Sequence, residues 1–223
     1  MSEFLTTLWR ERATAILRTN EQRRAASAME AAIRGGFHVV EFTLTTPGAL
    51  ELVAEFSRRP GVVVGAGTVL TVAQARASLA AGARFLVSPV VEEEIIAAAV
   101  EVGAEAMPGC HTPTEMLRAH RAGAMLVKLF PAPAGGPAFV RSVLAPLPFL
   151  RIVPTNGVDA DNAGAYLEAG SFAVGMVTSV FDPADLAADR FDRIEERARA
   201  IRSAVDRVKR PDTPPVSVDP MAG

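Results

Sequence analysis

The chain has a single cysteine, Cys110, among its 223 residues, which excludes an internal disulfide and a cysteine-rich metal site. A lone thiol suits a reducing compartment, and a cytoplasmic protein is expected. Long apolar runs are also missing: no stretch reaches the roughly 18 to 20 residues that a bilayer-spanning helix requires. The N-terminal MSEFLTTLWRERATAIL carries charges throughout and lacks the apolar core and small-residue cleavage site of a signal peptide. Neither sign of charge dominates. With a formal charge of -2 and no basic stripe, neither nucleic acid nor a membrane is an expected partner. Lysine is nearly absent: of the 23 Lys and Arg residues, only Lys128 and Lys209 are lysine.

Lys209 sits in a polar region near the C-terminus, but Lys128 interrupts an apolar run, AMLVKLFP, over 124–131. Bounded by Gly123 and Pro131, that run reads as a strand covered on both faces. Burial disfavours an ammonium and lowers its pKa, which frees the amine to attack a carbonyl carbon. Arginine stays protonated and cannot replace it. The plainer alternative is a lysine that pairs with a buried carboxylate or reaches to the surface.

Around this run the sequence keeps a regular beat. Short apolar runs are expected as strands at 15–17, 38–42, 62–65, 84–87, 104–107, around Lys128, at 150–153 and at 172–174. Between them, Ala- and Arg-rich helices are expected, ending in one long helix over 184–208. Gly36, Gly82, Gly103, Gly123 and Gly170 follow helical stretches and supply left-handed C-caps. Eight strand-helix units of about 20 to 25 residues fit a (β/α)₈ TIM barrel, an α/β fold, better than an open doubly wound sheet. A short amphipathic helix over 2–13, with Phe4, Leu5, Leu8 and Trp9 on one side, precedes the first strand as a plug. The expected organisation is one barrel domain over 1–210 and a mobile proline-rich tail over 211–223.

Active sites of such barrels lie at the C-terminal ends of the strands. Those ends carry Arg18, the run from Glu41 to Thr45, Gly65 to Thr68, Ser88-Pro89, Pro108 to Thr112, Lys128, Pro154 to Gly157, and Gly175. Glu41 stands between Val40 and Phe42, a carboxylate embedded in a strand and able to shuttle protons near an amine. An inert Glu41–Lys128 ion pair is the alternative. Thr68 and Thr155 are hydroxyls beside glycines, suited to an anionic oxygen but equally ordinary as turn residues. Cys110 and His111 have no companions with metal-ligand or nucleophile-base spacing, and no metal site is expected.

Taken together, VEFTLTT around Glu41, GAGTV around Thr68, Ser88-Pro89, Pro108-Gly109, KLFP from Lys128 and PTNGV around Thr155 resemble the KDPG aldolase family. This is the 2-keto-3-deoxy-6-phosphogluconate and 4-hydroxy-2-oxoglutarate aldolase group. The resemblance runs from about Ala15 into the last helix, in order and with matching spacing. It implies a metal-free class I aldolase, a homotrimer, that cleaves a 2-keto-4-hydroxy acid into pyruvate and an aldehyde. No cofactor is implied beyond the covalent imine on Lys128, with Glu41 as general acid and base. The implied substrate-binding set is Arg18, Thr45, Thr68, Pro89, Thr155, Asn156, Gly157, Gly175 and Thr178. Two departures stand out. Thr45 occupies the place where many members have an arginine for the substrate carboxylate, which leaves Arg18, or backbone N–H groups with Thr68, to hold it. Asn156-Gly157 and Gly175 to Ser179 stand where members that bind phosphorylated substrates have Gly-Gly and Gly-Ser, which obstructs close backbone approach to a phosphate. A related lyase for 4-hydroxy-2-oxoglutarate or an unphosphorylated sugar acid, or a diverged isomerase or synthase, is the alternative function.

Overall fold

The computed structural model describes residues 2–209. Eight parallel strands follow one another around a barrel: β1 (Ala13–Leu17), β2 (Val39–Thr43), β3 (Val63–Gly67), β4 (Phe85–Ser88), β5 (Glu105–Cys110), β6 (Val127–Leu129), β7 (Ile152–Pro154) and β8 (Val174–Met176). Neighbouring strands are hydrogen-bonded in the order β7-β6-β5-β4-β3-β2-β1-β8. The seam between β7 and β8 is closed by a single bridge, Thr155 to Gly175, and by the Phe172 amide donating to the Ile152 carbonyl at 2.9 Å. The expected (β/α)₈ barrel with an extra N-terminal helix is the observed fold.

Each strand alternates between two apolar layers. Val40, Phe42, Ala66, Val127, Leu129 and Ile152 point outward and join the buried faces of the helices. Val39, Phe85, Val87, Met107, Leu126, Val153 and Phe172 point inward and fill the lower half of the barrel. Helix α1 (Glu3–Glu11) closes that end from below. Phe4, Leu5 and Leu8 are 4%, 1% and 0% exposed, and burying each such side chain contributes about 1.5 to 3 kcal/mol. The Phe4 ring stacks on Phe85 at 4.4 Å, while the Ser2 hydroxyl caps the helix and donates to Glu105 at 2.7 Å. The N-terminal mouth is therefore plugged, and the barrel opens only at the C-terminal ends of its strands.

The helices between strands are α2 (Gln22–Arg34), α3 (Ala49–Phe56), α4 (Val72–Ala80), α5 (Glu93–Glu101), α6 (Pro113–Arg121), α7 (Gly136–Leu144) and α8 (Ala163–Glu168). All five expected C-cap glycines have positive φ, between 70° and 103°. The expected long helix over 184–208 is instead two, α9 (Pro183–Ala187) and α10 (Phe191–Asp206). Asp189 adopts a left-handed φ of 50°, and the Arg190 amide turns back to donate to the Asp185 carbonyl at 2.9 Å. The Asp185 carboxylate, accepting from Arg190 at 2.7 Å and Arg197 at 3.0 Å, holds the corner. The expected tail over 211–223 lies outside the described residues.

Candidate active site

Strand alternation sets what enters the barrel's open half. On β2, Val39, Glu41 and Thr43 face inward; on β6 and beyond it, Leu126, Lys128 and Phe130 do. On β3 the inward positions are Val63, Gly65 and Gly67, and the two glycines leave room for neighbours. A Cβ on Gly67 would lie 1.8 Å from Glu41 Oε1, so only glycine there lets the carboxyl occupy its present place. A Cβ on Gly65 would lie 2.4 Å from the Phe85 ring in the same way.

Above this floor lies a cavity of about 820 Å³. Arg18, Thr68, Pro89, Lys128, Thr155, Asn156 and Thr178, all expected in the site, line it. Glu41 is 0% exposed and sits beneath the lining rather than in it. Thr45, Gly157 and Gly175 are not on the wall. The strand ends at Thr43, so Thr45 has left the inward register; it is exposed and its hydroxyl is 3.0 Å from that of Thr43, which does line the cavity. Gly175 lies behind Thr155, whose Oγ1 would be 2.4 Å from a Cβ there. Gly157 faces Ala132 and its carbonyl accepts from Asn162.

Lys128 is 8% exposed and stands over the Phe130 ring, Nζ 4.8 Å from its centroid. Burial lowers its pKa, opposed by the Glu41 charge and assisted by Arg18. Burial also raises the pKa of Glu41, against the pull of Lys128 and Arg18. Both shifts favour the uncharged forms, a free amine and a protonated carboxyl. No ion pair within 4.0 Å joins the two, and both Glu41 oxygens are buried without a hydrogen-bond partner. The inert ion pair weighed as an alternative is therefore not what the site holds. Arg18 reaches over the cavity and donates from Nη2 to Thr68 Oγ1 at 3.3 Å.

Cys110 takes no part in this arrangement. It faces the outer core, its Sγ is 3.6 Å from the Pro108 carbonyl, and burial pushes the thiol up to about 12. Among the described residues no group of three or more His, Cys, Asp and Glu could hold a metal ion. No helix among them is long and apolar enough to cross a membrane.

The sequence reading missed the wall built by loops. After β1, Thr19, Asn20 and Arg24 line the cavity, and after β8, Val177, Phe181, Pro183, Leu186 and Ala187 do. Strand-end position was the signal used, and it reached Thr43 but neither Phe130 nor any of the helix residues.

The family described as KDPG and KHG aldolase matches residues 6–197. A probable 2-dehydro-3-deoxy-6-phosphogalactonate aldolase of Rhizobium meliloti is 36% identical over 197 residues, covering 87% of this chain and 91% of its own length. A 2-dehydro-3-deoxy-phosphogluconate aldolase of Dickeya dadantii is 35% identical, covering 81% and 85%. Among solved structures, a KDPG aldolase from Legionella pneumophila, with pyruvate captured as a covalent carbinolamine, is similar with a TM-score of 0.79. It is 27% identical, and the match covers 90% of this chain and 98% of that one.

Proposed function

Because this chain belongs to the KDPG and KHG aldolase family, we propose that Lys128 and Glu41 carry out its reversible cleavage of a 2-keto-3-deoxy sugar acid to pyruvate and an aldehyde. The chemistry is that of a class I aldolase and needs no cofactor beyond the enzyme's own amine. The observation that carries the assignment is a buried lysine at the base of the cavity, its pKa lowered by burial, with a fully buried carboxyl, its pKa raised by burial, in electrostatic range.

Neutral Lys128 Nζ attacks the C2 carbonyl, and the carbinolamine loses water as Glu41 gives its proton to the departing oxygen. The resulting iminium draws electrons from the C3–C4 bond. As that bond breaks, Glu41, now a carboxylate, takes the C4 hydroxyl proton and the aldehyde leaves. The enamine is protonated at C3 by the same carboxyl, and water returns the amine and releases pyruvate. Arg18 and the Thr68 hydroxyl, already in contact at 3.3 Å, hold the substrate carboxylate in place of an arginine at position 45. A guanidinium there also disfavours a second positive charge on Lys128, which keeps the amine reactive.

Borohydride added with saturating pyruvate is expected to leave a pyruvate-derived mass on the peptide containing Lys128. An unmodified Lys128 under those conditions rejects the assignment. The assembly we read as a homotrimer, the oligomeric state that the family resemblance implies. Sedimentation velocity should show one trimeric species, and a monomer would refute it. A cytoplasmic location, supported by the single thiol, is checked by cell fractionation.

A further inference from the structure

The far end of the cavity carries a chemistry of its own. In barrels of this fold, phosphate is often held by the loops after the seventh and eighth strands and the N-terminus of a short extra helix, where free amides and the helix dipole favour an anion. Here the start of the short helix after the eighth strand, and the turn before α8, are already filled by the chain's own carboxylates. The Asp182 side chain accepts from the Ala184 and Asp185 amides at 2.9 and 3.1 Å, and the first residue of α9, Pro183, has no N–H to offer. Before α8, the Asp159 side chain likewise accepts from the Asp161 and Asn162 amides at 2.9 and 3.1 Å. A phosphate approaching either place meets negative charge where it would need donors.

Nor is there a spare cation among the described residues that line the cavity. Three basic side chains line the cavity: Arg18, Arg24 and Lys128. Lys128 is consumed as the imine. Arg24 is neutralised by Asp189 at 2.8 Å and Glu21 at 3.1 Å. Arg197, beside Asp182 at 3.8 Å, is shared with Asp185 at 3.0 Å. Arg18 alone remains, and it is bound to Thr68 on the side where the keto acid's carboxylate belongs. One available guanidinium serves one anionic end. The wall after β8 is mostly apolar, from Val177, Phe181, Pro183, Leu186 and Ala187, with Thr178 there and Asn156, Thr19 and Asn20 elsewhere on the wall as uncharged partners for hydroxyls.

We infer that the preferred substrate is a 2-keto-3-deoxy sugar acid whose aldehyde half is an uncharged hydroxyalkyl chain, without a terminal phosphate. This narrows the aldolase reading above and rests on it. The carbon chain packs on the Phe181 and Leu186 side, its hydroxyls meet Asn156 and Thr178, and Asp182, next to the lining Pro183, disfavours a phosphorylated tail.

The test compares pyruvate release by the full-length enzyme from 2-keto-3-deoxygluconate and 2-keto-3-deoxygalactonate, each with and without a 6-phosphate. For the better sugar, kcat/KM is expected to favour the unphosphorylated form by at least about tenfold. Equal rates, or a preference for the phosphate ester, overturn the inference, as does failure to cleave any of the four. Borohydride trapping with pyruvate alone separates the two levels: an adduct with the wrong tail preference rejects only this inference, and no adduct rejects the aldolase assignment itself. Asp182→Asn should move the preference several-fold towards the ester, and an unmoved ratio argues against the carboxylate's role. Arg18→Gln should raise KM for both forms alike. A loss confined to the phosphate esters would mean that Arg18 serves the tail, contrary to the inference. Should a variant fail to fold, the wild-type comparison still decides.

Discussion

Lys128→Met is expected to leave a folded protein that has lost carbon-carbon cleavage, with kcat/KM down by at least about 10⁴, or about 5.5 kcal/mol of transition-state stabilisation. Methionine matches the length of the lysine stem, so the apolar contacts around a side chain only 8% exposed are kept. Removing one member of a buried charged pair is normally destabilising because the other charge is stranded. That penalty is softened here, since burial pushes Glu41 towards its neutral form and the substitution removes the Lys128 attraction that opposed this. The melting temperature should therefore change little. Loss of activity in a destabilised variant would say nothing about chemistry, whereas loss in one that melts at or above the wild-type temperature removes the nucleophile alone. Lys128→Arg should be as inactive, because a guanidinium remains protonated and cannot form the imine. Retained cleavage in Lys128→Met would end the proposal that this amine is the nucleophile.

Much of this site was legible in the sequence because its informative residues interrupt strands. Lys128 and Glu41 each break an apolar run, and the helix-ending glycines marked where one strand-helix unit gave way to the next. Alternation then carried the reading along each strand, but only as far as the strand lasts. Thr45 shows the limit: with the ladder ending at Thr43, the backbone turns so that the Thr46 amide bonds back to the Thr43 carbonyl at 2.9 Å, and the two-residue period no longer applies. The same holds beyond β8. The corner at Asp189, which splits the last helix, depends on Arg190 and Arg197 converging on Asp185, a contact between residues up to 12 apart that helical periodicity alone does not reveal. Because of that corner, Phe181, Pro183 and Leu186 face the cavity, and the wall most telling for the substrate's tail was the part least visible in advance.

Glu41→Gln separates proton transfer from imine formation. The amide has the carboxyl's shape and fits the space that Gly67 leaves, so the fold and the cavity are expected to persist. What disappears is a group able to give a proton to the carbinolamine oxygen and take one from C4. General acid-base steps of this kind contribute about 10² to 10⁴ in rate, and kcat should fall within that range. Borohydride should still trap pyruvate on Lys128, only more slowly, in contrast to the methionine variant, which should show no adduct at all. The pH profile carries a second signature. In the wild type the productive state holds one proton between two groups, on the carboxyl and not on the amine. Added acid protonates Lys128 and added base ionises Glu41, which gives a bell whose limbs belong to the pair. Without the carboxyl the alkaline limb should vanish. On the acid limb Glu41 is already protonated, so an amide in its place removes no charge from beside the lysine, and the acid limb should not move to lower pH. An alkaline limb that survives intact would show that Glu41 is not the proton donor to this amine's adducts.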